Sequence, residues 1–159
     1  MGYSERLREI ITEPCMQPKE IIKIGALEIR FLFDGDDTAG TMCMFEFLVP
    51  PGAKVPAAHY HESVDEAIYG LEGNLTFTID GQPHEISPGQ SAFVPRGKVH
   101  YFINNGIETS RSLSVLTPAT IGPQYFRDVA ALLAKGGPPD PKAVAEIMRK
   151  HGLIVVPPK

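Results

Sequence analysis

The chain reads as an all-β barrel with a short helical tail, on three observations. Apolar segments are short and regularly spaced, and 15 glycines and 15 prolines over 159 residues punctuate them, which suits a two-sheet barrel better than a helical bundle. Within the segments apolar and polar residues alternate, as in LTFTI, where Leu75, Phe77 and Ile79 share one face and Thr76 and Thr78 the other. Between LTFTI and HEIS stands Asp80-Gly81, a dipeptide suited to a two-residue hairpin because both central residues of that turn need positive φ.

Taken in order, the chain opens with SERLREIITEP, a weakly helical segment that ends at Pro14. Strand-like runs follow: EIIKI, ALEIRFLF, TMCMFEFLVP, the triplet HYH, EAIYGL, NLTFTID, HEIS, QSAFVP, VHYFIN and SRSLSVLTP. Gly73, Gly81 and Gly97 fall between these runs as turn punctuation. After Pro118 the period changes. QYFRDVAALLAK and PKAVAEIMRKHG carry apolar residues at helical spacing, and the second is started by Asp140-Pro141 and ended by Gly152. The organisation expected is therefore a barrel with its N-terminal segment over residues 1–122 and a helical extension over 123–159. A tail of 37 residues is too short to fold alone, so its stripes (Tyr125, Phe126, Val129, Leu132 and Leu133, then Val144, Ile147 and Met148) must be buried on the barrel. Two roles are open to it: covering an apolar face, or narrowing access at the barrel mouth.

Composition bounds the function. With 43% apolar and 21% charged residues the chain is an ordinary soluble type, and a net charge of −4 gives no reason to expect nucleic acid or an anionic membrane as partner. No apolar run approaches the length of a membrane span and the N-terminus lacks a signal-like apolar stretch, so a cytoplasmic location is the default expectation. Cys15 and Cys43 are too far apart for a CxxC site and read as free thiols.

The residues that carry chemistry are His59, His61, Glu66 and His100. On a strand, His59 and His61 project the same way and can chelate one ion. Across the polar break ESVD, Glu66 is expected to open a new antiparallel strand beside the pair, and His100 to arrive from a third strand. Three imidazoles and a carboxylate suit one divalent transition ion (Fe, Mn, Ni, Cu, Co or Zn) and leave positions open for water, oxygen or substrate. His84, beside a hairpin turn, and His151, at the end of the last helix, read as solvent-exposed, while Met42, Cys43 and Met44 read as packing, and Tyr69 and Tyr101 as facing outward. Alternation places Phe45, Phe47, Ile68 and Phe102 on the faces that share the pocket. No Arg or Lys is forced inward to clamp a phosphate or carboxylate, Arg30 and Lys54 being the remaining candidates.

These residues sit in two longer motifs: Gly52, six residues, His59-x-His61, four residues, Glu66, six residues, Gly73; and Gly89, five residues, Pro95-x-Gly97, two residues, His100, three residues, Asn104. The chain thereby resembles the cupin superfamily over roughly residues 40–118, and the tail is similar to that of small quercetin-dioxygenase-like cupins. The first motif has one extra residue, between Gly52 and His59, in a loop. The resemblance implies a jelly-roll barrel with a metal at the four ligands. For the reaction it leaves three readings: an oxygenase acting on a small aromatic or diketone-type molecule with Glu66 as base, a Lewis-acid isomerase, lyase or decarboxylase, or a non-catalytic small-molecule binder. A homodimer is expected, with EIIKI or ALEIRFLF crossing to the partner sheet.

Overall fold

The computed structural model describes residues 17–55 and 57–157; the expected N-terminal helix and Cys15 lie outside them. Eleven strands form two antiparallel sheets among the described residues. The first has the order β1 (Glu20–Ile24), β2 (Leu27–Phe33), β3 (Cys43–Val49), β10 (Ser110–Thr117), β5 (Asp65–Glu72), β8 (Ser91–Val94). The second runs β11 (Leu153–Val155), β4 (His59–His61), β9 (His100–Ile103), β6 (Leu75–Ile79), β7 (Gln82–Ile86). Alternation predicts these strands well because each buries one face: β3 is buried at Cys43, Phe45, Phe47 and Val49 and half-buried between them. The β6–β7 hairpin turns at Asp80 and Gly81 with φ of 47° and 80°, the doubly positive φ that the pair was read to supply.

Strand β10 packs against this pattern in an unexpected sense. Its inward residues are Ser110, Ser112, Ser114 and Leu116, whereas Leu113 and Val115 face out. The register sets this: Ser114 lies opposite both Phe45 and Ile68, so small side chains leave room for large ones on the two flanking strands.

Two corrections concern topology. Glu66 does not open a strand beside the histidine pair. Strand β5 lies in the opposite sheet, bonded to β10 and β8, so the break ESVD carries the chain across the barrel. The second is β11, which the sequence reading left out: after Gly152 the segment Leu153–Val155 pairs with β4, placing Leu153 opposite His61 and Val155 opposite His59. A three-residue strand has too few positions for alternation to register.

The tail holds helices α1 (Pro123–Leu133) and α2 (Pro141–Lys150). Proline at the first position of each supplies a preset φ, and the Asp140 carboxylate accepts from the Lys142 amide at 3.0 Å to cap α2. Helix α1 buries Tyr125, Phe126 and Val129, and Phe126 meets Phe31, Phe45 and Phe47 at ring distances of 5.4, 5.3 and 6.0 Å. It is thus seated in one end of the barrel. His151 is not solvent-exposed: it ends α2, its Nε2 lies 2.9 Å from an Asp128 oxygen on α1, and its ring packs on Tyr125 at 5.6 Å. Packing of α2 on α1 brings it to this partner, which a position along the sequence cannot reveal. His84, by contrast, is exposed. Among the described residues no helix is long and apolar enough to cross a membrane.

Candidate metal centre

Three strands and the space between two sheets build the site. His59 and His61 point inward from β4 as alternate residues, and His100, the first residue of β9, is in register with His59. Glu66 reaches the same space from β5 in the facing sheet. All four are buried, between 3% and 6% exposed. The imidazole rings cluster with centroids 4.6 to 5.3 Å apart, and the three histidines can each present one nitrogen with all such atoms within 4.8 Å of one another.

The tautomers follow from the hydrogen bonds. His59 Nδ1 lies 2.8 Å from the Ala57 carbonyl and His100 Nδ1 lies 3.0 Å from the Lys98 carbonyl; a carbonyl only accepts, so each Nδ1 carries a hydrogen and Nε2 keeps the lone pair. Such carbonyl partners orient metal-binding imidazoles generally. His61 Nδ1 is buried without a hydrogen-bond partner, although its ring lies near the Val64 backbone. Three lone-pair nitrogens within 4.8 Å of one another match ligands each about 2.0–2.3 Å from one ion, and the donor set fits Fe, Mn, Co, Ni, Cu or Zn.

Electrostatics separate the three rings. Burial pushes His59 down to about 3 and His61 down to about 4, so both are neutral near pH 7 and available as ligands. His100 differs: burial alone would lower it, but the Glu66 carboxylate, 3.4 Å from its Nε2, outweighs burial and raises it. Burial works to raise Glu66 too, and the interaction with His100, aided by His61 and His59, turns the net shift downward. Glu66 and His100 Nε2 thus face each other across 3.4 Å inside the site, so that an ion held by the histidines would also meet the carboxylate.

The cavity at these groups measures about 60 Å³. Phe45, Phe47 and Phe102 line it together with the four site residues, whereas Ile68 is buried in the core outside the lining. The sequence reading missed the part contributed by the tail, where Ile121, Tyr125, Phe126, Val129 and Leu153 complete the wall. The helical stripe was visible as a surface needing burial; its destination was not. Other motif residues are structural. The Asn104 side chain donates to the Val49 and Glu108 carbonyls at 2.7 and 2.8 Å and accepts from the Gly106 amide at 2.8 Å, tying the loop after β9 to β3. At Gly73, φ of 60° and a Cβ position 2.9 Å from the Thr109 carbonyl exclude a side chain.

The cupin domain family model matches residues 45–116, from β3 to β10, spanning all four site residues. The matched barrel is a cupin domain. This cupin is 36% identical over 78 residues to quercetin 2,3-dioxygenase of Bacillus subtilis, a match covering 49% of this chain and 22% of that protein. The chain spans less than half the length of the first curated relatives it matches. Among solved structures it is similar to a predicted oxalate decarboxylase of Thermotoga maritima, with 26% identity and a TM-score of 0.58 over 65% of this chain and 93% of that one. It is also similar to the polyketide cyclase RemF of Streptomyces resistomycificus, with 33% identity and a TM-score of 0.52 over 58% and 66%.

Proposed function

We propose that this cupin is a metal-dependent enzyme of the oxygenase kind, holding one divalent transition ion at His59, His61 and His100 with Glu66 beside it, and acting on a small aromatic or diketone-type molecule. The observation that carries the reading is the make-up of the cavity. Apart from the three histidines, Glu66 and Tyr125, its lining is entirely apolar, and no Lys or Arg lines it among the described residues. A phosphate or dicarboxylate would meet no cation of the protein there and would be desolvated without compensation. An aromatic ring or enolisable diketone needs only apolar walls and one polar focus.

The ion, when bound, supplies a Lewis-acidic centre with open positions, redox-active if it is Fe, Mn, Ni or Cu. The chain's own residues do the rest. His59 and His61, neutral by burial, give lone pairs without first losing a proton, and their strand is held on both sides by β9 and β11. Glu66, kept ionised inside an apolar cavity, is placed to take a proton from an enol or hydroxyl entering beside His100. Phe45, Phe47, Phe102 and Phe126 keep bulk water from that exchange. Similarity to the quercetin 2,3-dioxygenase supports the oxygenase reading. A second reading, Lewis-acid chemistry without oxygen, is favoured by similarity to the polyketide cyclase.

Oxygen uptake by metal-loaded protein, measured with small catechols, flavonols and β-diketones, tests the proposal. Substrate-dependent oxygen consumption that disappears in His100→Ala is expected. Turnover of a diketone without oxygen consumption moves the assignment to the Lewis-acid reading, and metal far below one equivalent after loading moves it to a binding protein.

A further inference from the structure

A second hollow lies outside the metal cavity, and the two share a wall. The outer groove, about 410 Å³, opens between the β1–β2 turn and the tail. Ile24, Leu27 and Val55 line both spaces, so the partition is one aliphatic side chain thick. Leu133 of α1 and Val144 of α2 form the far side, and among the described residues Lys54 is the one charged residue in the groove's lining. Lys54 is exposed and has no ion-pair partner among the described residues.

The inner cavity, at about 60 Å³, has room for on the order of four waters, too little for a complete substrate of ordinary size. The groove is several times larger and, Lys54 apart, lined by apolar and small residues. We propose that the two together form the ligand site, and that the aromatic or diketone group read above is the reactive end of an elongated, mainly apolar carboxylate, passing the Ile24–Leu27–Val55 partition to the histidines while the acid group stays at Lys54. This assignment rests on the reading of His59, His61 and His100 as the reacting centre. It adds the shape and charge of the substrate, and it gives the tail a function in specificity, since α1 walls the inner space with Phe126 and the outer with Leu133. Aliphatic partitions of this kind open by rotamer changes, whereas the turn at Gly25, with φ of 58°, holds the groove's near side.

Calorimetric titration of straight-chain saturated carboxylates of increasing length, and of the matching 1-alkanols, tests it. For the protein as purified, affinity should rise by about four-fold per methylene until the groove is filled. Lys54→Gln should weaken the carboxylates several-fold and leave the alkanols unchanged. Ala26→Phe, at an exposed turn position lining the groove, should remove the dependence on length, with Ala26→Ser as the control that retains it. Affinity independent of length, or unaffected by Ala26→Phe, overturns the groove. Carboxylate binding that ignores Lys54→Gln but is lost in His59→Ala places the acid at the metal and overturns the assignment of the anionic end. The two readings fail separately: length-dependent binding in a protein that never takes up metal leaves the groove and removes the enzyme, and oxygen consumption without length-dependent binding does the reverse.

Discussion

Replacing Phe126 by alanine should destabilise the protein by about 3–5 kcal/mol, the range for removing a buried phenylalanine. The upper half of that range is expected here. Phe126 is 6% exposed and its ring contacts four others, those of Phe31, Phe45, Phe47 and Tyr125, at 4.9 to 6.0 Å, each such pair being worth about 0.5–1.5 kcal/mol beyond area burial. These terms overlap and are not summed. The void would merge with the existing cavity, whose walls there are apolar, so water has few polar partners with which to repay the loss. For a chain of 159 residues each kcal/mol moves Tm by about 2–4 °C, so a loss of about 4–5 kcal/mol gives a fall of about 8–20 °C. Urea unfolding followed by circular dichroism reads the difference from the midpoint at constant slope. Phe126→Leu should recover most of the loss, and Ile107→Ala, at a position 93% exposed, should stay within about 0.5 kcal/mol of wild type. A loss below about 1 kcal/mol in Phe126→Ala would mean that α1 is not seated in the barrel end, and the account of the cavity wall would fail with it.

Acid should weaken the metal-free protein before its carboxylates titrate. His59 and His61 have folded values of about 3 and about 4, below the 6.5 of the unfolded chain. The unfolded state therefore binds the extra protons, so stability present above pH 6.5 falls toward pH 4, by up to about 1.4 kcal/mol per pH unit for each ring. His100, raised, works in the opposite sense as pH falls toward 6.5 and adds no further slope well below it. Equilibrium unfolding at pH 7, 6 and 5 checks this, and a flat profile refutes it. Deleting the chain from Leu153 onward strips β4 of its β11 partner, leaving the ligand strand at a sheet edge, and metal retention against a chelator should drop at least ten-fold; unchanged retention would show that β11 does not position the histidines. We propose that a homodimer forms through the outer face of β5 and β8, where Tyr69 and Phe93 are 46% and 59% exposed on neighbouring strands, in place of the crossing EIIKI or ALEIRFLF strand expected from the sequence, since β1 pairs with β2 and β2 with β3 of the same chain. Sedimentation should give about twice the 17.4 kDa monomer mass, reduced to the monomer by Phe93→Asp, and a monomeric wild type contradicts it.

Most of the barrel was legible because its strands obey a two-residue period with one face buried, and because Asp80-Gly81 dictates its own turn. The histidines were legible for the same reason: HYH needs only alternation to bring two rings to one face. What alternation cannot supply is the identity of the sheet a strand joins. Glu66 was readable as inward yet misplaced beside β4, because the break ESVD is equally compatible with a hairpin and with a crossing between sheets. The serines of β10 show the converse limit, where size complementarity to Phe45 and Ile68 overrides hydrophobicity. The stripe on α1 required burial, but only three-dimensional packing shows that it closes the metal cavity, and β11 and the His151–Asp128 contact depend on where the tail returns.

The central claim is that His59, His61 and His100 bind one transition ion inside this barrel. Its most direct measurement is the metal content, by elemental analysis, of protein purified without chelating resin, loaded with each of Fe(II), Mn(II), Co(II), Ni(II), Cu(II) and Zn(II), and desalted. Close to one equivalent per chain of at least one of these ions is expected, falling several-fold in His59→Ala and in His100→Ala while His84→Ala retains it. Wild-type protein that keeps none of the six ions, or His100→Ala protein that keeps a full equivalent, would contradict the account.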